Sequence, residues 1–380
     1  MTADHHHTTT TTADHPAITA GPGTAAAPAG AEGELGQGRA WAQAGRLGRA
    51  AAIAHPNIAL IKYWGKRDED LVLPAADSLS LTLDVFATTT RVRLAPGAAG
   101  DRVLLNGAPA AEPARARVVA FLDLVRSLTG RQAPAVVDSR NTVPTGAGLA
   151  SSASGFAALA VAAAAAYGLS TGSRGLSRLA RRGSGSACRS LFGGFAQWHA
   201  AAHTSGAAAD LASYAEPVPV AAALDVALVI VVVDAGPKAV SSRAAMRRTV
   251  ATSPLYRPWV DSSGQDLRQM RAALAGGDLA AVGEIAERNA LGMHATMLAA
   301  RPAVRYLAPA SLTALDVVLR LRRDGVAAYA TMDAGPNVKV LCAGHQAHLV
   351  EAAVRQAVPG ASVLVARPGP GARLARGDGG

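Results

Sequence analysis

The chain has 380 residues, of which 50% are hydrophobic and 4% aromatic, and it carries a formal charge of +10 with a pI near 10.3. That length exceeds one ordinary core, so two domains are expected, with cores built from Ala, Val and Leu. The charge suits an anionic substrate, a nucleic acid or an acidic surface, but no dense basic run is interleaved with aromatics, which speaks against nucleic acid.

Cys188 and Cys342 are too few for a disulfide framework and point to a reduced, cytoplasmic setting. The longest apolar runs, 157–166 and 226–233, are too short to cross a membrane. No basic stretch followed by a hydrophobic one opens the chain, so no secretory leader is expected.

Residues 1–48 are rich in Ala, Gly, Thr and His without apolar periodicity and are expected to form a disordered tail. His5, His6 and His7 read as solvated, since nothing nearby fixes a metal geometry. Order begins near Ala51, where AAIAHPNIALIKYWGK reads as one apolar strand or two. Lys62, Lys66 and Arg67 cluster there beside Tyr63 and Trp64. They form either a solvated strand end or an anion grip in which tyrosine is a neutral donor. Residues 79–83 and 88–94 alternate as strands, 114–128 has helical spacing, and 135–138 reads as a short strand.

The stretch NTVPTGAGLASSASGFAALAVAAAAAY (141–167) follows. Pro144, Gly146 and Gly148 allow a tight, close-approaching backbone, and Ser151 and Ser152 stand where a helix begins. A glycine-rich loop ending on a helix N-terminus is a ready phosphate site; an ordinary Ser-capped buried helix fits the same residues. A helix is expected over 173–182, then GSGSACRSLFGGF (183–195). There Ser184, Ser186 and Arg189 keep a spacing that lets Ser186 and Arg189 share a helix face. The arginine is either a surface residue or a planar fork for carboxylate or phosphate.

A composition shift at 203–219 suggests a boundary between domains spanning 49–210 and 220–366. Beyond it, 226–233 reads as a buried strand, and Ser241, Ser242 and Arg243 open a helix. Helices are expected over 267–274, 279–298, 312–323 and 345–358. Strands are expected over 326–332, directly before Asp333, and over 362–366, and residues 367–380 read as a loose tail. Strands and helices without regular βαβ spacing indicate an α+β fold. Neither a Walker A motif nor the full dinucleotide fingerprint is present, and protein-kinase signatures are absent. Several cations and one acid suit a small, multiply anionic substrate positioned for phosphoryl transfer, although Asp333 also fits a turn cap.

PTGAGLASSASGFAAL resembles the phosphate loop of the GHMP kinase superfamily. NIALIKYWGKRD (57–68), SGSACRSLFGGF (184–195), SSRAAMRRTVATSP (241–254), NALGMHATML (289–298) and YATMDAGPNVKVL (329–341) resemble the diphosphomevalonate decarboxylases. The resemblance spans about 51–366. It implies a two-domain fold with the active site in the inter-domain cleft, and ATP- and Mg²⁺-dependent decarboxylation of diphosphomevalonate to isopentenyl diphosphate in the mevalonate route to isoprenoids. It also implies a homodimer.

By motif match, Asp333 would orient or deprotonate the 3-hydroxyl, Lys62 would stabilise transferring charge, and Arg189 would clamp the carboxylate with Asn57 and Ser186. Tyr63, Lys66, Ser184, Ser242 and Arg243 would hold the diphosphate. Pro144, Gly146, Gly148, Leu149, Ala150, Ser151 and Ser152 would wrap the ATP phosphates, with Ser151 or Ser152 near Mg²⁺. The diphosphate-holding set weighs against a relative that acts on mevalonate or its 5-phosphate. Ala76 stands where the family usually has asparagine, which leaves one loop contact open.

Overall fold

A computed structural model describes residues 47–142, 151–234, 236 and 238–375. The first half runs β1 (Arg49–Ala54), β2 (Asn57–Ile61), β3 (Lys66–Asp68), β4 (Leu73–Pro74), β5 (Ser78–Thr82), β6 (Thr88–Leu94), β7 (Arg102–Leu105) and β8 (Ala108–Pro109). It continues with α1 (Ala114–Thr129), β9 (Ala135–Asn141), α2 (Ser151–Tyr167), α3 (Ser173–Gly183), a 3-10 helix (Gly185–Leu191), β10 (Phe195–Trp198), α4 (Gly206–Ala212) and β11 (Ala215–Pro217). The second half runs β12 (Val226–Val232), α5 (Ser242–Thr252), α6 (Tyr256–Gly276), α7 (Leu279–Leu298), α8 (Pro309–Arg323), β13 (Ala328–Met332) and β14 (Val338–Ala343). It ends with α9 (Ala347–Ala357), β15 (Ser362–Ala366) and β16 (Arg373–Leu374).

The α+β expectation holds. One sheet runs β16-β1-β6-β9-β7-β8, a second β11-β10-β5-β2 and a third β13-β14-β12-β15, while β3 and β4 form a ribbon. Only the β7–β9 pairing among these is parallel. Helix α2 lies on β1 and β6, where Ala157, Ala158, Ala160, Ala162 and Ala163 have no exposed surface. Methyl-sized side chains allow that close approach, and a helix apolar all round belongs in a core.

A large apolar cluster joins the two halves. Ile58, Leu60, Leu79 and Leu81 from the second sheet pack with Leu228 and Ile230 of β12, Met270 of α6 and Ile285 of α7. This shared core fixes the end of β2 relative to the end of β13. Lys62 follows the one and Asp333 the other.

Residues 203–219, where the sequence reading puts the boundary, contain α4 and β11, and β11 pairs with β10 inside the second sheet. The structure departs from the sequence reading at the C-terminal end. Residues 367–375, read as loose, lie across the first half. Gly369 N donates to Thr82 O, the Gly369 carbonyl accepts from Gly194 N, Ala372 N donates to Ser190 O, and β16 extends the first sheet beside β1. The reason is steric. A Cβ at Gly369 would sit 2.0 Å from Leu83 O, and one at Gly371 2.5 Å from Leu191 O. These glycines serve backbone contact, which composition alone does not distinguish from disorder. Residues 1–46 and 376–380 lie outside the described residues.

Candidate active site

β2 ends in a fully buried run, so the chain carries Lys62 into the interior between the halves. Its backbone N–H donates to Asn289 Oδ1 of α7 at 2.8 Å, and Asn289 is itself held through Nδ2 by Ser263 and Asp266. The Lys62 ammonium donates to Ala59 O at 2.7 Å and to Asp333 Oδ1 at 2.9 Å. An ammonium has three donors, so one remains for a ligand. Burial lowers Lys62 to about 8, against the attraction of Asp333, which raises it.

Asp333 begins the loop after β13. Its Oδ2 lies 3.4 Å from Lys339 Nζ, and its side chain keeps 28% of its surface open. Burial favours the neutral acid, but Lys62 and Lys339 outweigh it and hold the carboxyl well below the usual carboxylate range. His294 Nε2 lies 3.2 Å from the Asp333 carbonyl. A carbonyl only accepts, so that nitrogen carries the proton. Burial, then the charge of Lys62, brings His294 down to about 4, so it is neutral near pH 7. Asp333 is therefore a fixed, ionised carboxylate with one open side, which replaces the turn-cap reading.

Arg189 is 2% exposed on the 3-10 helix. Its Nε donates to Ser80 Oγ at 2.9 Å, Nη2 to Asn57 Oδ1 at 3.3 Å, and Nη1 to Ser78 Oγ. Asn57 Nδ2 in turn donates to Ser190 Oγ at 2.8 Å and to the Ser186 carbonyl at 3.0 Å. Asn57 thus supports Arg189 directly, and Ser186 does so through its backbone carbonyl on Asn57. Three of five guanidinium N–H groups are engaged, and among the described residues no carboxylate is paired with Arg189. The surface reading of Arg189 is excluded. A buried cation with two free donors has the chemistry to receive a carboxylate or a phosphate.

The remaining predicted residues are less closely joined. Tyr63 packs on Trp198 with ring centroids 4.7 Å apart, and burial raises its hydroxyl well above the usual range, so it is a neutral donor. Ser184 Oγ donates to Ser152 Oγ at 3.3 Å, which links the expected diphosphate and nucleotide sides. Ser241 caps α5 by accepting from Ala244 N, and Ser242 and Arg243 sit at that helix head, Arg243 exposed. Ser242 Oγ accepts from Lys238 Nζ at 3.4 Å. Lys66 is paired with Glu69 and touches none of the other predicted residues. Pro144, Gly146, Gly148, Leu149 and Ala150 lie outside the described residues, as does the side chain of Ser151, whose backbone opens α2.

Sequence reasoning missed Lys339, Lys238, His294, Asn289, Ser78 and Ser80. Lys339 sits opposite Thr331 in β13 and Ile230 in β12, so only strand register reveals that it faces Asp333. The alternation Ser78–Leu79–Ser80 signalled a strand with a polar face. That face holds Arg189 and not water.

Beside the head of α2 lies a cavity of about 170 Å³ between α1, α2 and the first sheet. Its apolar lining includes Leu105, Val118 and Phe156, and its polar lining includes Ser139, Asn141 and Ser152. Among the described residues no cluster of three His, Cys, Asp or Glu side chains could hold a metal, and no helix is long and apolar enough to cross a membrane.

Residues 54–211 match the family model of the diphosphomevalonate decarboxylase-like N-terminal domain, and residues 228–367 that of the mevalonate 5-diphosphate decarboxylase C-terminal domain. The chain is 40% identical to the diphosphomevalonate decarboxylase mvd1 of Aspergillus fumigatus, over 77% of this chain and 76% of that protein. A solved structure of MDDEF in complex with MVAPP, AMPPCP and magnesium superposes with a TM-score of 0.81 at 44% identity, over 87% of this chain and 99% of that one. Another, on mevalonate diphosphate mediated ATP binding in the mevalonate diphosphate decarboxylase from Enterococcus faecalis, gives 0.80 at 44% identity with coverages of 87% and 99%.

Proposed function

The chain belongs to the diphosphomevalonate decarboxylase family, and from that premise we propose that it converts (R)-5-diphosphomevalonate and ATP to isopentenyl diphosphate, ADP, phosphate and carbon dioxide. The observation that carries this reading is the Lys62–Asp333 pair at 2.9 Å together with the buried, acid-free Arg189. The charges of these three groups act on one another, as one small site requires.

The tertiary 3-hydroxyl is a poor leaving group, so the γ-phosphoryl group is first transferred to it. Asp333 accepts a hydrogen bond from that hydroxyl and orients its oxygen toward the phosphorus. Two ammonium groups keep the carboxylate a weak base, so its main work is alignment and charge. Lys62 uses its free donor on the transferring phosphoryl oxygens and then on the departing phosphate. As the C3–O bond breaks, positive charge grows at C3, and the Asp333 anion offsets it. The C1–C2 bond then breaks, its electron pair forms the C2=C3 double bond, and carbon dioxide leaves. Arg189 holds the carboxylate end-on beforehand, which fixes the bond to be broken.

The donor set fits ATP and Mg²⁺. Ser152 supplies a hydroxyl at the N-terminus of α2, where backbone N–H groups and the helix dipole favour phosphate. A hard divalent ion held mostly by phosphate oxygens needs few protein ligands, and Ser151 and Ser152 would complete its shell. Bound Mg²⁺ supplies charge neutralisation along the phosphates. The cavity beside α2 takes the nucleoside end, while Tyr63, Lys66, Ser184, Ser242 and Arg243 take the 5-diphosphate, Lys66 by exchanging Glu69 for phosphate.

A cytoplasmic homodimer belongs to the same proposal. Cys188 and Cys342 are free and buried, as suits a reducing compartment, and light scattering on purified protein tests the dimer. The activity is tested by coupled ADP release with mevalonate, its 5-phosphate and its 5-diphosphate offered separately. ADP and carbon dioxide are expected only from the diphosphate. Silence with the diphosphate, or turnover of the monophosphate instead, overturns the assignment.

A further inference from the structure

Glu287 of α7 and Arg322 of α8 lie outside the site as described, yet they hold the strand that delivers Asp333. β13 is the outer strand of the third sheet, so one of its edges has no neighbouring strand. Along such an edge alternate residues turn their N–H and C=O groups outward, and where the edge is buried they need other partners. Ala330 N donates to Glu287 Oε2 at 2.7 Å, and Arg322 Nη1 donates to Ala328 O at 3.3 Å. The two side chains are joined as a fork, Arg322 Nη1 to Glu287 Oε2 at 2.9 Å and Nη2 to Oε1 at 2.8 Å. Together they offer β13 the acceptor and the donor that a further strand would have offered.

The packing around this clamp is tight. The Arg322 guanidinium lies 5.1 Å over the Tyr329 ring. Gly283, one turn before Glu287, approaches the same ring so closely that a Cβ there would lie 2.0 Å from it. Arg288, the neighbouring cation, is engaged by Asp266 and Gln269 and does not draw Glu287 away. Two further residues of α7 reach the site itself: Asn289 accepts from Lys62 N, and His294 donates to the Asp333 carbonyl. Helix α7 therefore touches both members of the Lys62–Asp333 pair, and Glu287 adds a grip on β13 shortly before Asp333. The 2.9 Å between Lys62 and Asp333 depends on where this one helix holds two strands.

We propose that Glu287, backed by Arg322, is a positioning residue: its hydrogen bond to Ala330 N fixes the placement of β13 and so keeps the Asp333 carboxylate at contact distance from Lys62 and in line with the substrate hydroxyl. The inference rests on the functional reading above and adds to it the device that sets the distance between its two central charges. Neither Glu287 nor Arg322 touches substrate; both act through Asp333.

The test measures kcat, the KM for ATP and the pH profile of kcat/KM for diphosphomevalonate on wild type, Glu287→Gln, Glu287→Asp and Glu287→Ala. Thermal melts and hydrogen exchange of the peptide covering β13 accompany them. Glu287→Gln keeps the length and an acceptor for Ala330 N but gives up the charge. Glu287→Asp keeps the charge for Arg322 but falls short of the strand. A displacement of about 1 Å at a reacting group costs up to about a hundredfold, so Glu287→Asp and Glu287→Ala are expected to lower kcat roughly ten- to a hundredfold. Their KM for ATP stays close to wild type, and exchange in β13 quickens. The alkaline limb of kcat/KM, set by Lys62 at about 8, moves down in both, because Asp333 raises Lys62 and has been drawn away. Glu287→Gln stays close to wild type in kcat, with its limb in place. Wild-type kcat and limb in Glu287→Asp overturn the inference. So does Glu287→Gln falling as far as Glu287→Ala, which assigns the effect to charge and not to the strand. Activity that follows the melting midpoint with the limb unmoved marks a role in stability alone and overturns it as well. If Glu287→Ala does not fold, the contrast between Glu287→Asp and Glu287→Gln decides. Wild-type protein silent toward diphosphomevalonate overturns the functional reading and this inference with it, whereas an active wild type with an unmoved Glu287→Asp overturns this inference alone.

Discussion

Lys339→Met changes one charge in the buried cluster and leaves every proposed substrate contact in place. Lys339 and Lys62 face opposite oxygens of Asp333, at 3.4 Å and 2.9 Å. Burial lowers Lys62 to about 8, and the charge of Lys339 adds to that lowering. The working enzyme needs Lys62 charged. In wild type, kcat/KM for diphosphomevalonate is expected to fall about tenfold per pH unit above pH 8, as the free enzyme loses that proton. The corresponding limb of kcat lies higher, because bound phosphates favour the ammonium.

Both ammonium groups contact the same carboxylate and so lie within about 9 Å of each other, where like charges at an effective dielectric of about 20 repel by about 2 kcal/mol or more, about 1.5 pH units of titration. Relaxation of the cavity takes back part of this, so Lys339→Met moves the alkaline limb upward by about one pH unit. Unfolding does not mimic the effect. The folded value of Lys62 lies below its unfolded 10.5, so the unfolded chain binds more protons between about pH 8 and 10.5. This group therefore adds stability as pH rises through that window, and thermal melts recorded along the profile separate stability from activity. Alkaline limbs that coincide in wild type and Lys339→Met would refute the assignment of the ionisation to Lys62.

Asp333→Asn keeps the volume but removes the charge between two buried lysines; kcat is expected to fall at least ~100-fold with ATP affinity preserved. Near-normal turnover would remove Asp333 from the mechanism. Arg189→Lys gives up the planar fork, so kcat/KM for diphosphomevalonate drops about tenfold or more while ATP binding is unchanged; an unaltered kcat/KM contradicts the carboxylate clamp. Gly371→Val drives a side chain toward Leu191 O, Gly193 N and Phe192 C. It is expected to cost about 1–3 kcal/mol in denaturant unfolding and to raise KM for diphosphomevalonate more than for ATP, since the displaced strand supports the helix carrying Arg189. Equal effects on the two KM values would show that the strand does not position Arg189.

What the sequence made legible follows from where each residue's partners lie along the chain. Ser241, Ser242 and Arg243 read as a helix start because a cap and the N–H that donates to it are neighbours, and Ser241 does accept from Ala244 N. Lys62, Arg189 and Asp333 could be named because they sit in motifs, but the forces that define them come from far away. Asp333 is 271 positions from Lys62, and Arg189 is 109 positions from Ser80. A serine–leucine alternation normally means one wet face. Here the shared core between the halves dries both faces of β5, so Ser78 and Ser80 become guanidinium acceptors.

Lys339 within the buried run VKVLCA poses the same problem in reverse. Among hydrophobic neighbours a lysine looks like an interruption, and only the register with β13 shows that it neutralises Asp333. The C-terminal glycines were misread because flexibility and close backbone approach draw on the same residue. The motifs thus named residues that the fold brings together, while the charge states of Lys62 and Asp333 depend on strand pairings between distant segments. That is why Lys339, absent from any list drawn from the motif roles, is the residue whose removal tests the site most directly.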